Sequence, residues 1–139
     1  MTIETKTIQF NAQGNADILN LTDKIERELG ASEIRNGTVT LFSPSSTSAL
    51  TTIEYESGAI SDFQRLFDEI VDPNRHYAHN ARWGDGNGHS HVRAALLGAS
   101  LTIPLVDGRL TLGTWQQIVF VDFDNRPRRR ELVIQIVGD

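Results

Sequence analysis

Hydrophobic and polar side chains alternate along Met1–Phe10, and this alternation predicts a first β-strand. Residues 37–42 and 49–56 are rich in β-branched and aromatic residues, which favour strands, and Ser43-Pro-Ser-Ser46 breaks the chain between them. Three further strands are predicted near the carboxyl terminus, at residues 100–104, 110–122 and 131–137.

Apolar residues recur at helical spacing in three other places. The first predicted helix carries Ile18, Leu21, Ile25 and Leu29, with Asn15 or Asp17 as its cap and Gly30 at its end. The second carries Ile60, Phe63, Leu66, Phe67 and Ile70, and it ends at Asp72-Pro73 because the residue before proline avoids the helical conformation. A short third helix is predicted from Gly88 to Gly98, with Asn87 as a candidate cap.

The predicted order is β, α, β, β, α, loop, α, β, β, β, which is typical of an α+β domain with a mixed or largely antiparallel sheet and three helices. The regular alternation of a doubly wound fold is absent. We find no internal repeat, linker or low-complexity tract, so residues 1–139 are predicted to form a single domain.

The composition is that of an ordinary globular protein, with 39% hydrophobic and 22% charged residues. Because the chain has no cysteine, any metal must be bound by nitrogen and oxygen. The amino terminus does not resemble a secretory signal, and no apolar stretch approaches the ~20 residues that span a bilayer, so we expect a cytoplasmic protein without a membrane partner. A net charge of −5 argues against general nucleic-acid binding, despite the local run Arg126–Arg130.

The four histidines, His76, His79, His89 and His91, all lie within sixteen consecutive residues. Neutral imidazole is the commonest protein ligand for zinc-like metals, so His79, His89 and His91 are candidate ligands of a divalent metal, with zinc favoured. His89 and His91 can share one metal only if the following helix begins at about residue 90, because a spacing of two residues points side chains to different sides of a helix. Alternatively, these are loop histidines that cluster without a shared function, and His76 fits this interpretation best.

Magnesium prefers oxygen ligands, which Asp85, Glu54 and Glu56 offer. Glu54 and Glu56 are expected to point to one face of their strand, where they could bind a cation or act as a general base, although an exposed face explains them equally well. Trp115 is expected to be a core residue, and Gln116 is a possible donor in a pocket. The arginines of residues 126–130 are expected to face solvent or to pair with acids across a subunit interface.

Hydroxyl groups and turn amides at Ser45-Ser46-Thr47-Ser48 could hold an anionic oxygen or a phosphate, or they could simply stabilise their own turn. Lys6 and Lys24 are the only lysines, so phosphate recognition would depend on arginine. Arg82, Arg93 and Arg128 are the candidates that lie nearest in the sequence.

Five blocks of the chain resemble the YjbQ-like family, often labelled secondary thiamine-phosphate synthase. Ser100–Ile118, with its Gly-Thr-Trp-Gln run, resembles the family signature, and four further blocks agree with it: Thr47–Glu54, Tyr77-Ala-His79, Asn87-Gly-His-Ser-His91 and Arg128-Arg-Arg130. Two positions depart from the family pattern, since Ser46 and His89 stand where many members carry histidine and aspartate, respectively.

This resemblance implies an α+β sandwich that associates as a homotrimer, with the histidine pocket close to subunit boundaries. It also implies a transferase that joins hydroxymethylpyrimidine pyrophosphate to thiazole phosphate and releases pyrophosphate. We expect a metal at His79, His91 and His89, phosphate contacts from Ser46, Thr47 and Arg128, and Gln116 near the reacting groups. One alternative is a zinc-dependent hydrolase of a small ester or phosphoester with Asp85 or Glu54 as proton acceptor, and another is a non-catalytic trimer that binds a metal or small molecule.

Overall fold

The α+β class predicted from the sequence is confirmed by the computed structural model, which describes residues 1–139. The strands are β1 (Thr2–Ala12), β2 (Asp17–Asn20), β3 (Gly37–Phe42), β4 (Ser48–Glu54), β5 (Ser100–Val106), β6 (Arg109–Leu110), β7 (Gln116–Asp122) and β8 (Arg128–Gly138). The helices are α1 (Thr22–Gly30), α2 (Ser57–Ile70), α3 (Ala78–Trp83) and α4 (Gly88–Leu97). None of these helices combines the length and the apolar character needed to cross a bilayer.

The strands form two antiparallel sheets. The five-stranded sheet has the order β1-β8-β3-β5-β6, and the three-stranded sheet has the order β2-β7-β4. Strand β8 therefore lies between β1 and β3, and it pairs with β1 along all eleven residues, from Thr2 opposite Gly138 to Ala12 opposite Arg128. In the smaller sheet, Ser48 of β4 lies opposite Asp122 of β7, and Glu54 lies opposite Gln116.

The three-stranded sheet is covered on both faces. Leu50, Ile118 and Phe120 pack toward the five-stranded sheet and α1 in one apolar core. Val119 and Val121, which alternate with them along β7, belong to a second core that includes side chains of α2 and α4. The molecule thus has three layers, and residues 118–122 of β7 are buried without interruption because both faces of the strand are covered there.

Aromatic rings stabilise both cores. Phe10 of β1 meets Phe120 of β7 edge to face, with ring centroids 4.9 Å apart. In the second core, Phe67 of α2 meets Phe123 in the same manner at 4.7 Å. Each such pair contributes about 0.5–1.5 kcal/mol beyond the burial of its area.

Two predictions about the helices were wrong. The first helix begins at Thr22 rather than near Asp17, because Asp17–Asn20 pairs with β7 as a strand and this tertiary pairing overrides the helical spacing of its apolar residues. There are four helices instead of three, since α3 forms within the histidine segment that was predicted as a loop. With only six residues and no buried side chain, α3 has no apolar stripe that a sequence pattern could reveal.

Two predictions about side-chain orientation were also wrong. Trp115 is 72% exposed instead of being a core residue, because it lies in the turn before β7 and not within a strand. Glu56 does not share a strand face with Glu54, since β4 ends at Glu54. Its carboxylate caps α2 by accepting hydrogen bonds from the backbone N–H groups of Gly58 and Ala59, and these two bonds lower its pKa.

Candidate functional site

The apolar core between the two sheets ends in charged side chains at one edge of the sandwich. Along β8, the inward positions read Arg130, Leu132, Ile134 and Ile136, with Leu132 and both isoleucines fully buried. Asp122 occupies the corresponding inward end of β7, beyond Phe120, and it is also fully buried. The same alternation that builds the core therefore places an aspartate and an arginine face to face where the core stops.

Asp122 and Arg130 form a two-pronged ion pair. Arg130 donates from Nε to one carboxylate oxygen of Asp122 at 2.6 Å and from a terminal nitrogen to the other at 2.9 Å. Its terminal nitrogens also donate to the Ser45 hydroxyl at 2.9 Å and to the Thr47 hydroxyl at 2.8 Å. These bonds attach the serine-rich turn to the end of the sandwich and use the donors of Arg130 within the protein.

Asp124 forms a second buried anionic centre two residues further along the chain. Thr47 donates its hydroxyl proton to the Asp124 carboxylate at 2.9 Å, and the Arg128 Nε lies 3.2 Å from the same oxygen. Burial opposes ionisation, but hydrogen bonds from Thr47 and Asn87 and the charge of Arg128 outweigh it and lower the pKa of Asp124. Asp124 is therefore a carboxylate at neutral pH.

Arg128 differs from Arg130 in having donors to spare. Its side chain is 36% exposed, and its terminal nitrogens make no hydrogen bond within the chain, while Nε faces Asp124. The arginine run was expected to face solvent or to pair with acids across a subunit interface, but Arg128 and Arg130 pair with Asp124 and Asp122 of the same chain. Arg128 thus presents a fork of unused N–H donors to the space in front of the turn.

Several hydroxyl groups of the turn predicted to hold an anion form hydrogen bonds within the turn itself. The Ser43 and Ser48 hydroxyls bond to each other at 2.7 Å, and the Ser45 hydroxyl accepts from the Thr47 backbone N–H at 3.2 Å. Ser46 is exposed, and its hydroxyl makes no hydrogen bond to the protein. Of the two turn residues expected to contact phosphate, Thr47 is engaged by Asp124 and Arg130, and Ser46 is unengaged.

His79, His91 and Asp85 meet on the opposite side of the same space. The His79 and His91 rings are 4.4 Å apart between centroids, and the His79 Nδ1 lies 3.2 Å from an Asp85 carboxylate oxygen, an ion-pair contact without the geometry of a hydrogen bond. The His91 Nδ1 lies 3.2 Å from the Ser46 carbonyl oxygen. If Nδ1 carries the proton in each ring, both Nε2 atoms have a free lone pair, an arrangement suited to a metal ligand or a general base.

Gly88 allows α3 to approach α4 closely enough for these rings to meet. A Cβ atom at position 88 would lie 2.5 Å from the Cβ of Tyr77, and no real pair of side chains is that close. The Asn80 side-chain oxygen also accepts a hydrogen bond from the Gly88 backbone N–H at 2.8 Å. The short helix α3 is therefore held against the start of α4 by a contact that only glycine permits.

His89 does not join this cluster. Helix α4 begins at Gly88, earlier than the start at about residue 90 that a shared metal would require, so His89 and His91 point to different sides of it. His89 is buried beside Tyr77, at 6.2 Å between ring centroids. Burial, and then the charge of Arg93, lower its pKa, which makes the neutral imidazole the dominant form at pH 7.

The three-histidine zinc site expected from the sequence is consequently not formed within the chain. No group of three or more histidine, aspartate or glutamate side chains converges in a way that could hold a metal ion. His79 and His91 fit as two imidazole ligands, whereas a catalytic zinc site usually has three protein ligands. The residue types suit a metal, but their number in one chain is one too few.

Glu54 and Gln116 lie far from the histidines. They are paired across the β4–β7 ladder. Glu54 is six residues along β4 from Ser48, so the two ends of the strand are ~20 Å apart. Gln116 donates to the Thr52 hydroxyl on β4 and accepts from the Gly113 backbone N–H in the preceding turn, so both ends of its amide are used. The structure therefore does not bring either residue to the histidine cluster where a catalytic role was expected.

The serine-rich turn, Asp124, His91 and the two paired arginines line one cleft of about 430 Å³, which we call the polar cleft because Pro44 is its only lining residue without a polar side chain. Its lining consists of Pro44, Ser45, Ser46, Thr47, Asp85, Asn87, His91, Asp124, Arg128 and Arg130. The sequence interpretation missed Asp122, Asp124 and the inward role of Arg130. Counting alternate positions back from Ile136 along β8 would have placed Arg130 on the core side, and that was the available signal.

Comparisons of sequence find relatives over nearly the whole chain. A sequence model of the family described as "UPF0047 protein YjbQ-like" matches residues 6–139. A UPF0047 protein of Methanothermobacter thermautotrophicus is 36% identical over 138 residues, which are 99% of this chain and 94% of the relative. The UPF0047 protein YugU of Bacillus subtilis is 32% identical over 134 residues, 96% of this chain and 98% of the relative.

Solved structures show the same fold. A YbjQ-like protein of Sulfolobus solfataricus superposes with a TM-score of 0.90 at 29% identity, covering 99% of this chain and all of the other. A protein of Aeropyrum pernix superposes with a TM-score of 0.87 at 32% identity, covering 96% and 99%. The α+β fold with two antiparallel sheets is therefore shared with these relatives over nearly their whole length.

Proposed function

The chain belongs to the UPF0047 YjbQ-like family, and on this premise we propose that its polar cleft binds a small phosphorylated substrate and transfers a group from it. The observation that carries this proposal is the free guanidinium fork of Arg128, which faces the same cleft as Ser46 and His91. Arginine suits phosphate because its planar donors contact two oxygens at once.

The specific reaction we propose is of the thiamine-phosphate-synthase type. Hydroxymethylpyrimidine pyrophosphate would lose pyrophosphate as the bond between its methylene carbon and the phosphate oxygen breaks. The ring nitrogen of the thiazole phosphate would form the new bond to that carbon, so thiamine phosphate and pyrophosphate are the products. Charge accumulates on the departing pyrophosphate, and stabilising that charge is the main task of the protein.

Four groups of the polar cleft are suited to this task. Arg128 would hold oxygens of the pyrophosphate, with the Ser46 hydroxyl as an additional donor. His91, oriented by the Ser46 carbonyl oxygen at 3.2 Å, would present the lone pair of Nε2 to a metal ion beside the phosphate groups. Asp124, ionised and 3.2 Å from Arg128, keeps the guanidinium in place without occupying its terminal donors.

We propose a divalent metal, zinc above all and magnesium as the alternative, as a cofactor held by His79 and His91. When bound, it would neutralise negative charge on a phosphate group. A metal assay tests this independently of turnover: after dialysis against trace zinc, the parent should carry about one metal per chain. His79→Ala and His91→Ala should lose it, and His76→Ala, which alters the remaining exposed histidine, should retain it. A parent without metal would contradict this part of the proposal.

The proposal extends to assembly and location, with a homotrimer acting in the cytoplasm. An assembly of this kind could supply a further ligand to the two-histidine pair from a neighbouring subunit. The family resemblance in the sequence supports the trimer, and the short supply of ligands in one chain is consistent with it.

A hydrolase of a small phosphoester is the second candidate, and the pairing of His79 with Asp85 at 3.2 Å favours it. A carboxylate that orients an imidazole is the arrangement by which proteins activate water or a hydroxyl group. The two activities differ in product, since only the transferase requires a second phosphorylated substrate.

Turnover of the pyrimidine pyrophosphate with and without thiazole phosphate tests the proposal. We expect thiamine phosphate from the parent, and a loss of roughly 10- to 100-fold in kcat/KM for Arg128→Gln, because hydrogen bonds to charged groups contribute about 1.5–3 kcal/mol. Arg109→Gln on β6, outside the polar cleft, is the matched control and should act like the parent. Pyrimidine alcohol formed without thiazole phosphate would favour the hydrolase, and no turnover with either mixture would contradict both.

A further inference from the structure

We propose that Trp83 is a stacking platform at the rim of the polar cleft, where its indole would hold the flat ring of the phosphorylated substrate. This inference rests on the proposed function and adds the residue that selects the organic part of the substrate. Apart from the His91 imidazole, the lining of the polar cleft has no aromatic side chain, so a large stacking surface must come from its rim.

Helix geometry places Trp83 beside the histidine cluster. Trp83 is the last residue of α3, and His79 lies four residues earlier in the same helix, so both side chains occupy one face. Long helical side chains lean toward the amino end, which directs the indole back toward His79. The His79 ring is 4.4 Å from that of His91, a lining residue of the polar cleft.

The chain returns to the polar cleft directly after Trp83. Gly84 has a left-handed conformation with φ +64°, and this turn brings Asp85 to the cleft wall. Two consecutive peptide units limit the Trp83–Asp85 Cα separation to about 7.6 Å. Trp83 is thus fixed in sequence between two residues of the site, His79 before it and Asp85 after it.

The indole is available to a ligand on one face. Trp83 is 65% exposed, and the Arg82 guanidinium carbon lies 5.5 Å from the ring centroid. That cation occupies one side of the ring and limits its orientations, which leaves the other side for stacking. The nearest alternative aromatic, Tyr77, is committed elsewhere, because its hydroxyl donates to the Asp72 carbonyl oxygen at 2.6 Å.

The two tryptophans of the chain provide a matched pair of variants. Both are exposed, but Trp115 lies in the turn before β7, at the end of the smaller sheet away from the polar cleft. Trp115→Phe leaves Trp83 as the only indole, and Trp83→Ala leaves Trp115. Neither side chain belongs to a buried core, so both variants are expected to fold.

The probes are thiamine monophosphate, which is an aromatic phosphate, and pyrophosphate, which has no ring. Thiamine monophosphate should quench the fluorescence of Trp115→Phe and leave that of Trp83→Ala unchanged. In calorimetric titrations, Trp83→Ala should bind thiamine monophosphate about 5- to 100-fold more weakly than the parent does, as expected for one lost base–aromatic stack. Its affinity for pyrophosphate should remain within a factor of about two.

The outcomes separate this inference from the proposed function. Equal affinity of Trp83→Ala and the parent for thiamine monophosphate, with pyrophosphate bound by both, would overturn the platform and leave the phosphate site intact. Binding and quenching by thiamine monophosphate without any binding of pyrophosphate would support the platform and contradict the phosphate site. If neither probe binds the parent, both proposals are wrong.

Discussion

Asp124 shows how much of the site depends on one buried carboxylate. Its lowered pKa means that the folded state favours the ionised form, so its contribution to stability is present above pH ~3.8 and is lost as the pH falls below that value. We expect Asp124→Asn to lower the free energy of unfolding at pH 7 by about 1–3 kcal/mol, because it leaves Arg128 without its charge partner. Urea unfolding of the parent and Asp124→Asn at pH 7 and pH 3 checks this. If the two proteins differ in free energy of unfolding by the same amount at both pH values, the prediction is wrong.

His89 should affect stability over a higher pH range. Burial and Arg93 lower its pKa below the ordinary 6.5, so the unfolded chain takes up this proton more readily than the folded one. The contribution of neutral His89 to the free energy of unfolding is therefore fully present above pH ~6.5, and it is lost as the pH falls through that value toward the lower pKa of the folded state.

His89→Gln should show a shallower decline than the parent between pH 7 and pH 5, measured as urea midpoints at intervals of half a pH unit. His76→Gln, which alters an exposed histidine, is the control and should follow the parent. Parallel curves for the parent and His89→Gln would show that another group governs the acid response.

At the same scale, the sequence predicted part of the site and missed the rest for identifiable reasons. Motif blocks and local clustering in the sequence were enough to identify the residues that come together at the site: Ser46, Thr47, His79, Asp85, His91 and Arg128. The prediction of His89 as a metal ligand depended on where α4 begins. Because the helix begins two residues earlier than that prediction requires, the His89 side chain points away from His91. Glu54 and Gln116 are opposite each other as strand pairing requires, but the sequence could not tell which end of β4 faces the histidines.

At the scale of elements, the contact between α3 and α4 positions the histidine pair. Gly88→Ala should push α3 away from α4, because the added methyl group would overlap Tyr77. We expect the protein to remain folded, since both apolar cores lie elsewhere, and to lose more than about 10-fold in kcat/KM through misplacement of His79.

Gly30→Ala in α1 is the matched control, because a Cβ there would meet nothing within 4 Å. It should be neutral or stabilising by up to about 1 kcal/mol, as alanine favours helix more than glycine does. Circular dichroism melting curves and steady-state kinetics of the two variants provide the comparison. Full activity of Gly88→Ala would show that the α3–α4 contact does not position the site.

Element prediction succeeded where a periodic apolar face exists and failed where it does not. Strand β3 and helix α4 have bounds within a residue of those expected, because each has an unmistakable pattern. Helix α3 packs on α4 through Tyr77 and a backbone contact, without burying any of its own side chains, so no hydrophobic period could indicate it. The four residues of β2 acquired strand structure only by pairing with β7.

At the scale of the molecule, the expected homotrimer makes a direct prediction about mass. Light scattering coupled to gel filtration should give three times the mass of the chain over a wide range of protein concentrations. Large apolar side chains exposed on the outer helices, Leu66 and Ile70 of α2 and Val92 and Leu96 of α4, are available for such contacts. A mass equal to one chain at all concentrations would contradict the trimer and with it any ligand supplied by a neighbour.

The central position of β8 has a consequence for how the protein is made. This strand follows the other seven strands in the chain, yet it lies between β1 and β3 and carries Arg128 and Arg130. While the ribosome exit tunnel still holds those residues, the five-stranded sheet lacks a middle strand, and β1 and β3 expose unpaired edges. The five-stranded sheet should therefore be completed only after β8 has left the exit tunnel, and a premature stop before β8 should yield an aggregating product rather than a smaller functional one.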